Sequence, residues 1–341
     1  MLPRSSLPYA SRLALLLVAL ALAGTLSLAW GVYPISVADV LSALGAGSER
    51  ADPAAVMILT QVRAPRLVLA LATGAVLGIS GAALQALFRN PLAEAGLIGV
   101  SGGAALGAAI TLTLSGPFLV AWLVWLTPAA AFLGAVAVTG TLFLLAGRWG
   151  FASAASLILA GIALGAICTA GISLLSYFAD AERLKNLTMW TLGSFSGIDW
   201  TLTIPASVAG GISIVGLLVL APSLNALALG EREAFHLGID VSALRRRLIL
   251  LVALGVGAVV SAVGVIAFVG LIVPHLLRLW RGPDHRWVLP GSALLGALVV
   301  VLAEWCARNL SPPLELPVGA MTSLMGGPFF LWLLARGRTV L

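Results

Sequence analysis

Polar residues in this chain are few and clustered. Between the clusters run apolar stretches at about 13–32, 65–87, 93–112, 118–146, 155–177, 201–221, 248–264, 267–280, 288–307 and 317–335. Runs of about 20 residues fit helices crossing a bilayer, whereas a membrane barrel would show alternating segments of about 10. The pattern predicts an all-α integral membrane protein with ten transmembrane helices. The eighth stretch is short for a full crossing and is expected to be broken or tilted. Two further short helices are predicted outside the spans. One is VADVLSALGA in the long connection 33–62. The other lies in 179–200, where Leu184, Leu187, Trp190 and Leu192 recur at helical spacing and Trp190 and Trp200 mark a membrane surface.

The longest charge-bearing interruption in the second half is 223–247, SLNALALGEREAFHLGIDVSALRRR. Leu227, Leu229, Ala234, Leu237 and Val241 recur there at roughly helical spacing, broken by Gly230 and Gly238. This predicts two short amphipathic helices with a turn between them.

Composition excludes a water-soluble fold. Of 341 residues, 60% are hydrophobic and 9% charged, against about 25% charged in a soluble domain. The net charge of +6 does not imply nucleic acid. Arginines held on the cytoplasmic side of a membrane protein produce a basic total by themselves. With the N-terminus inside, the inner loops hold Arg4, Arg12, Arg89, Arg148, Arg232, Arg245, Arg246, Arg247, Arg278, Arg281, Arg286, Arg336 and Arg338. The outer loops hold only Arg50, Arg63, Arg66, Arg183, Lys185 and Arg308. The bias predicts cytoplasmic termini and a cytoplasmic 223–247 loop. The run Leu13–Trp30 is read as an uncleaved first helix, being long for a signal peptide.

Candidate chemistry is sparse. There is no G-x-x-x-x-G-K-[ST], and Lys185, the single lysine, is not next to a glycine, so the chain has no P-loop of its own for ATP. Cys168 and Cys306 lie inside apolar segments, and no Cys/His spacing suits a metal. No cofactor, metal site or catalytic residue is expected. Gly99-Val-Ser101-Gly-Gly103 fits G-x-S-x-G, and with His275 it raises an intramembrane serine protease as an alternative. A secondary transporter is a second alternative, but no span carries a carboxylate or histidine chain at its middle. Gly74-x-x-x-Gly78 and Gly161-x-x-x-Gly165 bring helix backbones close. Glu304 and Arg308 stand one turn apart and can pair.

Five stretches carry a resemblance to a known family: 63–108 with NPLA, SLILAGIALGAI at 156–167, LNALALGEREAFHLGIDV at 224–241, 263–297 with FVGLIVPHLLR, and ELPVGAMTSLMGGPFFLWLL at 315–334. They cover nearly the whole chain in order. Together they resemble the FecCD/BtuC-like permease subunits of type II ABC importers, which take up iron-siderophores, heme and cobalamin. Glu304 departs from the family's usual Asp but keeps the carboxylate. The resemblance implies one permease domain over 1–341, a homodimer around a central pathway, two ABC ATPase subunits below and a periplasmic substrate-binding protein above, in the bacterial inner membrane. It places Gly230, Glu231, Ala234, Leu237 and Gly238 in coupling helices that sit in a groove of the ATPase. It gives Arg63, Arg66 and Arg308 to binding-protein docking, with pairing to Glu304 or Glu315 as the rival for Arg308. It puts Leu157, Gly161, Gly165, Met321, Met325 and Phe329 on the pathway wall, and the inner gate at Ser153, Ala154, Ala155 and Ser156. His275 is assigned to stabilising a helix end. The segment 175–197 resembles heme permeases more than siderophore ones. A wall of Met, Phe, Leu and Gly suits a large planar ligand, which heme and cobalamin both are; heme is the expected cargo.

Overall fold

The computed structural model describes residues 9–43, 52–115, 122–148 and 154–335. Ser153 of the expected gate lies outside them. Fifteen α-helices and no strand occur among the described residues. They are α1 (Tyr9–Ala29), α2 (Val37–Ala43), α3 (Pro53–Ile58), α4 (Ala64–Phe88), α5 (Val100–Leu114), α6 (Leu123–Arg148), α7 (Ala154–Phe178), α8 (Ala181–Thr191), α9 (Trp200–Val219), α10 (Ala221–Leu229), α11 (Glu231–His236), α12 (Val241–Val263), α13 (Val269–Arg281), α14 (His285–Asn309) and α15 (Val318–Ala335).

Each of the ten predicted segments falls on a helix. Seven helices of the described residues are long and apolar enough to cross a membrane: α1, α3 running on into α4, α6, α7, α9, α12 and α14. The expected interfacial helices are present as α2 and α8. Two boundaries differ from the sequence reading. The second crossing begins near Pro53, because one π-turn at Leu59–Arg63 joins α3 to α4 without a break. Arg63 and Arg66 are therefore helical residues rather than loop residues. The third begins at Val100, because Gly99 at φ +79° ends a short 3-10 turn at Ala95–Ile98. A left-handed backbone there suits glycine and stops the helix from extending back to residue 93. The eighth segment is short as expected. α13 has 13 residues, and left-handed Phe268 at φ +67° precedes it.

Helix starts follow the aspartates. Five of the six aspartates cap N-termini: Asp52 (α3), Asp180 (α8), Asp199 (α9), Asp240 (α12) and Asp284 (α14), each accepting a backbone N–H of the first turn. Each such cap is worth about 1 kcal/mol. In a chain this poor in acid, the caps explain most of its aspartate.

α4, α12 and α14 are mostly buried and form the centre, with α1, α6, α7 and α9 around them. α4 and α14 approach each other backbone to backbone. A side chain on Gly74 would strike the Gly296 carbonyl, and one on Gly78 the Ser292 carbonyl. In lipid, where apolar tails offer no drive for helices to associate, small residues let packing and dispersion hold the pair. Gly161 likewise lies against the Leu97 carbonyl. The bundle has two faces. The lower carries the start of α1, the end of α4, α10, α11, the end of α13 and the start of α14, joined by Tyr9–Asp284, Arg89–Ala228 and Asn225–Asp284 hydrogen bonds. The upper carries the end of α1, α3, α8, and the starts of α4 and α9, where Trp200 Nε1 donates to the Thr60 carbonyl at 2.9 Å.

Gly74→Ala is expected to destabilise the purified protein by about 1–3 kcal/mol, the range for overpacking. Gly140→Ala, with no atom within 4 Å of the added methyl, serves as the control and should leave stability unchanged or slightly raised. Thermal unfolding in detergent measures both.

Candidate functional site

On the lower face α10 and α11 form a bent pair. Leu224 and Leu227 bury one side of α10. Gly230, at φ +140°, turns the chain sharply into α11, a conformation L-residues rarely adopt. Ala234 is fully buried and seats α11 against the bundle. Gly238 at φ +81° and the Ile239 N–H to Ala234 carbonyl bond close the helix. Glu231 is exposed and pairs with Arg245 of α12 at 3.1 Å. Phe235, at 71% exposed, and Leu237, at 62%, project outward, with Leu229 beside them. Sequence periodicity missed Phe235. It falls on the polar side of the α11 pattern, and that departure was the available signal. Apolar side chains standing out from a charged, rigid element mark an interaction surface.

On the upper face the three predicted arginines converge, but inward. Arg63 Nη1 donates to the Leu28 carbonyl at 2.7 Å and Nη2 to Tyr33 at 2.6 Å. Arg308 Nη2 donates to the Ser27 carbonyl at 2.7 Å. Both therefore cap the C-terminal carbonyls of α1, where a cation is favoured. Arg66 holds Glu315 with two bonds, at 2.8 and 2.7 Å, and lies 3.2 Å from Glu304. Glu304, 1% exposed, also has Arg308 at 3.9 Å. The predicted Glu304–Arg308 pair is thus present, and Arg66, on another helix, is the nearer cation. Spacing along one helix could reveal the first pair and not the second.

The predicted pathway residues divide. Leu157 is buried, and Gly161 packs on the turn before α5. Gly165 has open space beside it, and Met325 is exposed. Met321 packs partly against the core, and Phe329 meets the His275 ring edge-on at 6.4 Å. Ala154, Ala155 and Ser156 form the first turn of α7. A groove of about 580 Å³ opens beside α15, lined in part by Thr191, Val265, Gly319, Ser323 and Leu324. His275 Nε2 is buried without a partner. Among the described residues no hydrogen bond joins it to Ser101, so the protease constellation is not assembled.

The described residues form an all-helical bundle of membrane-crossing length with an exposed lower-face element and an upper-face ionic cluster. Residues 17–336 match the model of the FecCD transport family, and the chain belongs to that family. It is 45% identical over 284 residues to the hemin transport system permease protein HmuU of Yersinia pestis, covering 82% of this chain and 84% of the relative. It is 39% identical over 315 residues to the vitamin B12 import system permease protein BtuC of Salmonella typhi, covering 92% of both. Among solved structures it resembles a metal-chelate type ABC transporter in an inward-facing conformation, at TM-score 0.84 and 33% identity over 96% of this chain and 99% of the other. The protein is a multi-pass membrane permease.

Glu315 provides a pH test. Its hydrogen bonds from Arg66 hold its carboxyl below the ordinary carboxylate range. Because the folded value is depressed, the pair's contribution is complete above the unfolded value of about 4.3 and disappears as pH falls through the folded value. Thermal stability should drop more steeply below about pH 4 in the wild type than in Glu315→Gln.

Proposed function

We propose that the protein is the permease subunit of a binding-protein-dependent ABC importer and moves heme across the inner membrane, with ATP hydrolysed on a separate subunit. The observation that carries this reading is the α10–α11 element. It is rigidly mounted, bent at Gly230, and presents Phe235 and Leu237 outward in a chain that has no P-loop. Gly230, Glu231, Leu237 and Gly238 then form the coupling surface, and Ala234 fixes its seat. In this reading the lower face is cytoplasmic, both termini are inside, and all ten helices cross or enter the bilayer as one permease domain.

Two copies are proposed to pair around a central pathway. The apolar faces of α7, with Leu159, Ile162 and Ile167 exposed, and of α15, with Leu324 and Met325, support this arrangement. Gly165, Met321, Met325 and Phe329 then line or back the wall, and the start of α7 (154–156) with Ser153 forms the inner gate. A periplasmic binding protein docks on the upper face. Arg66 reaches it by exchanging Glu315 for a partner carboxylate; Arg63 and Arg308 hold the rim in place. Such charge pairs set register and capture rate more than affinity.

Heme is favoured over other cargo by the similarity to a hemin permease and by a wall of Met, Phe and Gly without fixed charge. The similarity to cobalamin permeases supports cobalamin as the second reading.

Co-expressed with its ATPase, the wild-type protein should purify as a complex, and Phe235→Asp should lose the ATPase while remaining folded. Removing one buried apolar anchor and adding a charge costs about 2–4 kcal/mol of binding, or about thirty- to a thousandfold. In proteoliposomes, binding protein loaded with hemin should stimulate ATP hydrolysis and uptake. Stimulation by cobalamin alone would replace heme as the cargo, and uptake without ATP would overturn the importer reading.

A further inference from the structure

One polar side chain of α10 ties the coupling element to the first turn of α14. Asn225, on the inner side of α10, uses both ends of its amide on the first turn of α14. Its Nδ2 donates to Asp284 Oδ1 at 2.8 Å. Its Oδ1 accepts from the His285 backbone N–H at 2.8 Å and lies 2.8 Å from His285 Nδ1, which carries the proton for that contact. Asp284 is the N-cap of α14. It also accepts from the Arg286 N–H at 2.9 Å and from the Tyr9 hydroxyl at 3.3 Å. Burial opposes its charge, but these hydrogen bonds outweigh that and hold its carboxyl below the ordinary range. An ionised acceptor makes the Asn225 bond a charge-assisted one.

What lies beyond that joint gives it meaning. α14 has 25 residues, about 37 Å of helix, and runs from the lower face to the upper. Along its length it touches α4 backbone to backbone at Gly74–Gly296 and Gly78–Ser292, so the two cannot slide independently. At its far end Glu304 sits against Arg66, which in turn grips Glu315. From there the Leu316 N–H bonds back to the Ala307 carbonyl, and the Val318 N–H at the start of α15 bonds to Gly193. A push on α10 delivered through the Asn225 amide therefore reaches the upper rim and the root of α15 along one rigid member.

We propose that Asn225 is the positioning residue that transmits movement of the coupling element to α14, and that its amide bridge to Asp284 and His285 is the joint. This rests on the reading of α10–α11 as the surface that an ATPase moves. The side chain needs one donor and one acceptor at fixed positions, which no apolar or acidic replacement supplies.

The test uses the assembled permease–ATPase complex in liposomes with its loaded binding protein, measuring ATP hydrolysis and uptake together. Asn225→Ala should keep the ATPase bound and hydrolysing while uptake per ATP falls about tenfold, as expected for loss of a hydrogen bond to a charged group. Asn225→Asp sets two carboxylates together and should be worse. The exchange Asn225→Asp with Asp284→Asn restores one donor facing one acceptor and should recover at least half of the wild-type coupling. A purely structural bond would lower uptake and hydrolysis in proportion and leave the ratio unchanged. The proposal is overturned if Asn225→Ala couples normally, if the exchange is no better than Asn225→Asp, or if the single variants fail to assemble and the exchange does not rescue them. Failure of the wild-type complex to import with ATP would instead reject the coupling reading itself.

Discussion

Everything in this molecule depends on how closely α4 and α14 can approach. Both are buried at the centre of the bundle, and their contact is backbone on backbone because Gly74, Gly78 and Gly296 carry no side chain. Lipid gives apolar helices no reason to leave it for one another, so the stability of the pair comes from short-range packing, which falls off within an ångström. The closeness has a mechanical consequence. Two helices locked along their length behave as one beam, and its two ends lie on opposite faces. Two polar clusters sit at those ends: Asp284, His285 and Asn225 below, Arg66, Glu304, Arg308 and Glu315 above.

The two polar ends have different characters. Below, the side chains bridge a surface element to the beam and leave Phe235 and Leu237 standing outward. Above, the charges close on themselves. Glu304 is almost fully buried, and truncating the cation beside such a group leaves an unpaired buried charge, so the cluster constrains the upper rim. Arg63 and Arg308 spend their donors on the last carbonyls of α1, tying the outermost helix to the same rim. Within this network Glu315 is the more exposed acid, and Glu304 the buried one.

Much of this was legible in the sequence. Apolar run length gave the all-helical membrane class and the shortness of α13, because hydrophobic thickness is a one-dimensional constraint. Gly230 and Gly238 marked the bend and the end of α11. Glu304 and Arg308 could be paired by spacing alone. What stayed hidden shares a cause. Arg63 and Arg66 look like surface residues next to Pro65, but the π-turn carries the helix through them, and their partners Tyr33 and Glu315 are distant in sequence. Asn225 and Asp284 are 59 residues apart, and nothing local announces that one needs the other. Leu157 and Gly161 share a helix with Gly165 but face the turn before α5, a direction that periodicity cannot choose without knowing the neighbour.

The central claim is that a lever projecting from one side of the bundle takes its motion from an ATPase on that side. The most direct measurement is sided labelling of a cysteine introduced at Leu237, in a background where Cys168 and Cys306 are replaced, using a membrane-impermeant maleimide. The account predicts labelling in inverted vesicles but not in intact spheroplasts, and protection when the ATPase is co-expressed. Labelling from the outer side, or equal labelling with and without the ATPase, would contradict it.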